Sequence, residues 1–255
     1  MIRAVVTDLD GTIVRTDGTI SPRMAAAART LAERGIPLIA ATARTHYGVA
    51  AAGLDFTLSV CSAGAIGWDH DTRVWRETFP HPAVREVAEA ILRLPGAGVG
   101  AHDGDQWFMT AAYATLNGWR SRGPRTVVEP GELPPSACVM AACAPDLSPF
   151  ALIEELGVDP AIATLSTAGR NVVDITPSGV DKGTGVLRAL AYLGIAPEET
   201  VAFGDMVADI PMFGVVGLGV SVGTAHPDVV AAAQHVAPDA DSDGVPETLT
   251  LLGLL

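Results

Sequence analysis

The chain has 255 residues, of which 49% are apolar and 18% are charged, and its formal net charge is −13. This composition predicts a globular protein rather than a disordered one. Nucleic acids and anionic membranes attract basic surfaces, so the acidic excess argues against both as partners. No apolar run approaches the ~18 residues of a membrane span, and the first residues lead into a strand rather than a signal peptide.

The cysteines indicate a reducing compartment. Cys61, Cys138 and Cys143 are odd in number and lack the spacing of a metal site. We therefore expect buried, reduced thiols in a cytoplasmic protein.

The first elements predict a βαβ unit. The apolar run Ile2–Val6 predicts a buried strand that leads into Asp8-Leu9-Asp10. Ser21-Pro22 is a helix N-cap followed by proline in the first turn, and Gly35 is a typical helix end. A second buried strand, Ile36–Ala41, then ends at Thr42. Strand, helix and strand in this order favour a parallel sheet.

The middle of the chain has a different pattern. After a third strand at Leu58–Cys61, residues 82–166 alternate helices with short strands, which predicts a separate α+β domain. The α/β pattern returns with strands at Val172–Ile175 and Val201–Phe203 and a helix at Lys182–Leu193. We predict a parallel-sheet domain formed by residues 1–81 and 167–255, with residues 82–166 inserted as a second domain.

Polar side chains follow several predicted strands of the parallel sheet. They are Asp8 and Asp10, Thr42, and the pair Asp205 and Asp209. Since the carboxyl ends of parallel strands meet at one edge, we expect these groups to lie together. Carboxylates can hold Mg²⁺, or divide the roles of nucleophile and general acid. Each group alone also has a structural interpretation, as a turn residue or a favourable charge at a helix start.

Four motifs in the observed order resemble the haloacid dehalogenase superfamily of phosphohydrolases, in its Cof-type branch. The resemblance extends over the whole chain, although the inserted part matches mainly by position and length. The motifs are Asp8-Leu9-Asp10-Gly11-Thr12, Ala41-Thr42-Ala43-Arg44, Asp174 to Gly183, and Gly204-Asp205 to Asp209.

The resemblance implies a Rossmann-like α/β core, an α+β cap and a division of chemical labour. Asp8 would attack phosphorus, and Asp10 would protonate the leaving oxygen and then activate water. Thr42, the Ala43 amide and Arg44 would bind the phosphoryl group. Because nucleophile and substrate are both anionic, neutralising charge is needed. Asp10 must carry a proton in one half-reaction, so its pKa should lie above that of Asp8.

The resemblance also implies how that charge is neutralised. Lys182 would neutralise charge at Asp8 and the phosphate. Asp8, the Asp10 carbonyl and Asp205 would hold Mg²⁺, with Asp209 as a direct or indirect partner. The sequence departs from the family pattern at two positions, where Ala63 and Ala208 replace asparagines. We therefore expect a weaker or differently supported site.

These features predict a Mg²⁺-dependent phosphatase for a small phosphate ester, with a sugar or polyol phosphate as the expected substrate. Five arginines against ten acidic residues in the cap argue against a polyanionic substrate. Alternatives are a phosphomutase or other phosphotransferase with the same intermediate, and a catalytically weakened binding module. The Gly217-Leu218-Gly219 segment lacks the full dinucleotide-binding pattern. The sequence does not specify an oligomeric state.

Some cap side chains have both a binding and a structural interpretation. Trp107, Tyr113 and Trp119 could stack on a substrate ring, but the large area that aromatic residues bury favours a place in the cap core. The arginines at positions 120, 122 and 125 could bind a substrate anion, but a solvated loop is the simpler interpretation.

Overall fold

The computed structural model describes residues 1–117, 122–168, 171–223 and 225–255. The predictions for Trp119 and Arg120 therefore concern residues outside these ranges.

In chain order, the strands are β1 (Ala4–Thr7), β2 (Leu38–Ala41), β3 (Leu58–Cys61), β4 (Ile66–Asp69), β5 (Thr72–Arg76), β6 (Gly98–His102), β7 (Trp107–Met109), β8 (Arg125–Val127), β9 (Val139–Cys143), β10 (Ala163–Ala168), β11 (Val172–Pro177), β12 (Thr200–Gly204), β13 (Leu218–Val222) and β14 (His235–Ala237). The helices are α1 (Pro22–Glu33), α2 (His46–Ala50), α3 (Ala83–Leu92), α4 (Ala111–Asn117), α5 (Pro149–Leu156), α6 (Lys182–Leu193), α7 (Ile210–Phe213), α8 (Pro227–Ala232) and α9 (Gly244–Leu251).

The first sheet has the strand order β14-β13-β12-β1-β2-β3-β4-β5. Strands β14 to β3 run parallel, whereas β4 and β5 are antiparallel to their neighbours. Every residue of β1, β2 and β3 is buried, as expected for parallel strands covered on both faces. The chain proceeds from β1 to β2 on one side and returns at β12 on the other. Strand β1 therefore lies at the topological switch point of the sheet, where α/β proteins bind ligands.

Residues at the helix ends form capping interactions. The Ser21 hydroxyl accepts a hydrogen bond from the Met24 amide at 2.9 Å, which caps α1. At the start of α6, the Asp181 carboxylate accepts a hydrogen bond from the Thr184 amide at 2.8 Å. Helix α6 then ends at Gly194, whose φ of 66° is left-handed. These caps fix where each helix begins and ends relative to the sheet.

The second sheet has the order β10-β11-β9-β6-β7-β8 and is antiparallel except between β7 and β8. Helices α3 and α5 cover one face, where Ile91 and Leu152 pack against Val173 and Ile175. Helix α4 contacts β6 and β9, and Tyr113 belongs to a cluster with Trp107 and Val139. In the described part of the chain, no helix combines the length and apolarity needed to cross a membrane.

The expected place of Val172–Ile175 in the parallel sheet is wrong. These residues belong to β11, which pairs antiparallel with β9 and β10 of the second sheet. The reason is visible in the alternation of the strand: Val173 and Ile175 enter the apolar cluster, whereas Asp174 lies between them. Such alternation is typical of an antiparallel strand, whereas central parallel strands are apolar throughout. We therefore propose that the inserted domain extends from about residue 82 to Pro177, beyond the predicted end at residue 166.

Candidate active site

The carboxyl ends of β1 and β12 bring two acidic segments together. Strand β1 pairs with β12 from Ala4 to Thr7, so Asp8 and Asp205 follow adjacent strand ends. The Asp8 amide also donates to the Phe203 carbonyl at 2.9 Å, which continues the pairing one residue further. The prediction that these carboxylates share one edge of the sheet is confirmed.

Asp8 is the buried centre of this edge and is 6% exposed. The Lys182 ammonium lies 2.9 Å from Asp8 Oδ1 and donates to Asp209 Oδ1 at 2.6 Å. Lys182 reaches this point from the first turn of α6 and is itself only 4% exposed. One buried ammonium therefore links two carboxylates from different parts of the chain.

Asp209 is fully enclosed, and both its oxygens have partners. Oδ1 binds Lys182, while Oδ2 accepts the amides of Asp205 at 3.0 Å and Met206 at 2.9 Å. A Cβ at Gly204 would lie 2.6 Å from Oδ2, so glycine permits this close approach. Asp209 thus orients both the lysine and the loop that carries Asp205.

Asp205 is held from the other side by Thr12. The Thr12 hydroxyl donates to Asp205 Oδ1 at 2.7 Å. A Cβ at Gly11 would lie 2.4 Å from Asp205 Oδ2, and Gly11 also has a positive φ of 85°. Thr12 was not among the predicted site residues, although it belongs to the Asp10-Gly11-Thr12 motif that carries the prediction.

The acidic cluster offers a set of oxygen ligands that could hold a divalent cation. Asp8, Asp205 and Asp209 each offer an oxygen within 4.8 Å of the others. Burial raises the pKa of Asp8 to about 8 despite Lys182, and Asp209 and Asp205 add to the rise. Burial also raises the pKa of Asp205 to about 6. Because one ammonium faces three carboxylates, the residues fit a hard cation that takes oxygen ligands.

The charge of Lys182 is favoured by the same cluster. Burial alone would lower the pKa of its ammonium, but the carboxylates of Asp209 and Asp8 together raise that pKa above its ordinary value. Lys182 is therefore held as a cation beside Asp8, as the sequence predicted.

The Asp10 side chain pairs with Arg44 rather than with Lys182. Its carboxylate accepts two hydrogen bonds from Arg44, at 2.7 Å from Nε and 2.6 Å from Nη2. This fork geometry is the strong form of an arginine–carboxylate pair, although the Asp10 side chain is 63% exposed. Hydrogen bonding to Asp10 raises the pKa of Arg44 further.

The loop after β2 contains the other predicted phosphate-binding residues. Thr42 is buried, and its hydroxyl accepts the Arg44 amide at 3.2 Å. Ala43 lies between them at an exposed position. The structure therefore places Thr42, Ala43 and Arg44 on one turn beside Asp10, while Lys182 lies beside Asp8.

A strained turn after β3 supports the lysine. Ser62, Ala63 and Gly64 all have positive φ, at 51°, 53° and 109°. A Cβ on Gly64 would lie 2.0 Å from the Asp181 carbonyl, so the turn packs directly against the start of α6. The Ser62 hydroxyl is buried and has no hydrogen-bond partner within the described ranges. The sequence did not predict this turn; it showed only that Ala63 replaces an asparagine of the family pattern.

The chain is similar to proteins of known family and fold. A model of the haloacid dehalogenase-like hydrolases matches residues 5–249. The chain belongs to this hydrolase family. A solved HAD subclass IIB sugar phosphatase has a TM-score of 0.84 and 20% identity, over 99% of this chain and 100% of that one. A HAD phosphatase from Bacteroides thetaiotaomicron has a TM-score of 0.83 and 22% identity, over 100% of this chain and 96% of its own. The fold and the Cof-type resemblance are confirmed.

Sequence relatives carry phosphatase names. Pyridoxal phosphate phosphatase of Escherichia coli is 26% identical over 95% of this chain and 96% of its own length. A phosphoglycolate phosphatase of Methanothrix thermoacetophila is 40% identical over 77 residues, which span 30% of this chain and only 35% of that protein. These names confirm the prediction of an enzyme of the phosphatase type.

Proposed function

We propose that this hydrolase cleaves small phosphate monoesters with Mg²⁺ and an aspartyl-phosphate intermediate. The observation that carries the proposal is the buried Asp8–Lys182–Asp209 contact beside Asp205, at the carboxyl end of β1. The names of the relatives also support a phosphate monoester as substrate.

The proposed first step is attack of an Asp8 oxygen on phosphorus. The bond from phosphorus to the leaving oxygen breaks, and that oxygen takes a proton from Asp10. Lys182 neutralises Asp8 and the incoming phosphate, while Thr42, the Ala43 amide and Arg44 orient the phosphoryl oxygens. When bound by Asp8, Asp205 and the Asp10 carbonyl, Mg²⁺ would supply positive charge against the phosphoryl group.

In the second step, water attacks the phosphoryl group on Asp8. Asp10 takes a proton from that water, and the Asp8–phosphorus bond breaks to release inorganic phosphate. Asp10 therefore alternates between acid and base, which requires it to leave the double hydrogen bond with Arg44. We propose that the substrate phosphate competes for Arg44 and thereby releases Asp10.

A phosphate-release assay on a panel of esters tests this function. We expect turnover with Mg²⁺, none in excess EDTA, and none for Asp8→Asn. Mass spectrometry of acid-quenched Asp10→Asn enzyme should detect one added phosphoryl group with an activated ester. Asp146→Asn, a cap variant outside the cluster, serves as the matched control.

The products also separate the alternatives. An isomeric phosphate ester in place of free phosphate would show a phosphomutase. Binding of the esters without turnover would show a weakened binding module. Turnover by Asp8→Asn at more than a few per cent of the parent rate would contradict the covalent mechanism.

A further inference from the structure

Asp174 is a buried carboxylate that the proposed chemistry does not use. It lies in the middle of β11 and is 8% exposed. Its side chain makes no hydrogen bond or ion pair with any residue in the described ranges.

The alternation of β11 directs Asp174 away from the cap core. Val173 and Ile175 pack into the cluster beneath α3 and α5, so Asp174 points to the opposite face of the sheet. There it stands opposite Ser166 of β10 and Ala141 of β9. Both partners have small side chains.

This face of the cap lies over the catalytic residues. Strand β10 contacts the turn Val207–Asp209, and the charge of Lys182 acts on Asp174. On the far side of Ala141, Gly100 continues the row of small residues, and a Cβ there would lie 3.3 Å from the Tyr113 ring. Asp174 therefore lies within electrostatic range of both Lys182 and Tyr113 of the cap. Under the proposed mechanism, the leaving group would lie between these two regions.

A buried carboxylate without a partner among the described residues is costly to a fold, so its presence calls for a reason outside folding. A hydroxyl donor from a ligand would satisfy Asp174 without adding charge. A cationic ligand is less suitable, because the Lys182 ammonium already acts on the same carboxylate. An alkyl or aryl group would leave the carboxylate unsatisfied.

We propose that Asp174 accepts hydrogen bonds from hydroxyl groups of the leaving group, and thereby selects polyol or sugar monophosphates over alkyl phosphates. This role rests on the proposed phosphatase function. A hydrogen bond to a charged group corresponds to about a tenfold to hundredfold change in kcat/KM.

The test compares polyol phosphates with alkyl phosphates of equal carbon number: glycerol 1-phosphate with propyl phosphate, and sorbitol 6-phosphate with hexyl phosphate. We expect the parent enzyme to prefer the polyol esters. Asp174→Ala should lower kcat/KM at least about tenfold for these esters. The same variant should change kcat/KM by less than about threefold for the alkyl esters and for p-nitrophenyl phosphate.

Stability separates this role from a structural one. Asp174→Ala and Asp174→Asn should melt at or above the parent temperature, because each removes a buried charge without a partner. Glu154→Ala removes an exposed cap carboxylate on α5 and serves as the matched control, with unchanged kinetics.

Several results would overturn the role of Asp174. They are equal losses on both ester classes with a lower melting temperature, unchanged polyol kinetics in Asp174→Ala, and a parent enzyme that hydrolyses p-nitrophenyl phosphate without preferring polyol esters. A parent enzyme that hydrolyses none of the esters, p-nitrophenyl phosphate included, would instead overturn the proposed function, and the selectivity role with it.

Discussion

At the residue scale, the buried ammonium of Lys182 offsets the free-energy cost of burying the carboxylates of Asp8 and Asp209. Its loss leaves Asp8 and Asp209 buried without a positive partner. We expect Lys182→Met to abolish turnover and to lower the free energy of unfolding by about 3–5 kcal/mol at pH 8. Urea unfolding measures this loss.

A second salt bridge provides the control for Lys182. Arg188→Met breaks an exposed pair with Glu77 and should cost no more than about 1 kcal/mol. Equal losses of unfolding free energy in the two variants would show that the buried carboxylates do not depend on Lys182 for their stability.

Asp174 should give stability a distinct pH dependence. Burial raises its pKa to about 7, so between about pH 4 and pH 7 the folded chain holds a proton that the unfolded chain releases. The contribution of Asp174 to stability therefore falls as pH rises through this window. Asp174→Asn should match the parent near pH 4 and exceed its free energy of unfolding by roughly 2–4 kcal/mol near pH 8.

Denaturant titrations at several pH values check this dependence. A difference between Asp174→Asn and the parent that stays constant from pH 4 to pH 8 would show that the carboxylate is ionised throughout.

At the element scale, the turn Ser62–Gly64 holds the start of α6 in place. Gly64→Ala would place a methyl group 2.0 Å from the Asp181 carbonyl, at a φ of 109° that disfavours alanine. We expect a loss of more than about 2 kcal/mol in stability and a fall in kcat, because Lys182 moves with its helix. Gly131→Ala, where no atom lies within 4 Å, should be neutral in both. A normal kcat in a folded Gly64→Ala protein would show that this turn does not determine the position of Lys182.

The parallel core was predictable because its strands carry local signals. The apolar runs that precede Asp8 and Thr42 predicted the strands and the polar side chains at their ends. The second sheet was harder, since Arg125–Val127 is short and wholly exposed, and the strand Ala163–Ala168 mixes small polar and apolar residues. Such strands are specified by their neighbours rather than by their own sequence.

The proximity of the acidic and basic side chains was predictable, but their pairing was not. The structure brings Asp8, Lys182, Asp205 and Asp209 together, as the motifs implied. That both oxygens of Asp209 are occupied, and that Arg44 holds Asp10, depends on side-chain directions that a linear pattern does not encode.

At the scale of the whole molecule, polar contacts between described residues join the two sheets. Arg73 Nη1 lies 3.2 Å from Asp105 Oδ1, and the Thr45 hydroxyl donates to the Arg122 carbonyl at 3.2 Å. The exposed Arg73–Asp105 pair contributes about 0–1 kcal/mol, so this contact would resist opening of the cap only weakly. Under the proposed function, substrate entry and product release would require such opening.

We expect Arg73→Gln to lower kcat/KM by no more than about fivefold and to leave the melting temperature unchanged. Steady-state kinetics at low and high salt measure the effect, which should shrink as salt screens the pair. Arg85→Gln, which breaks a pair within α3, is the control. A larger effect in Arg85→Gln than in Arg73→Gln would exclude a role for the contact with Asp105 in closure.

Lys182 is the only lysine in the chain. Its amine is enclosed and held as an ammonium. Amine-selective reagents should therefore leave every side chain of the folded protein unmodified. Unfolding exposes this one amine, so the fraction of protein labelled at lysine would report the fraction of molecules that have unfolded.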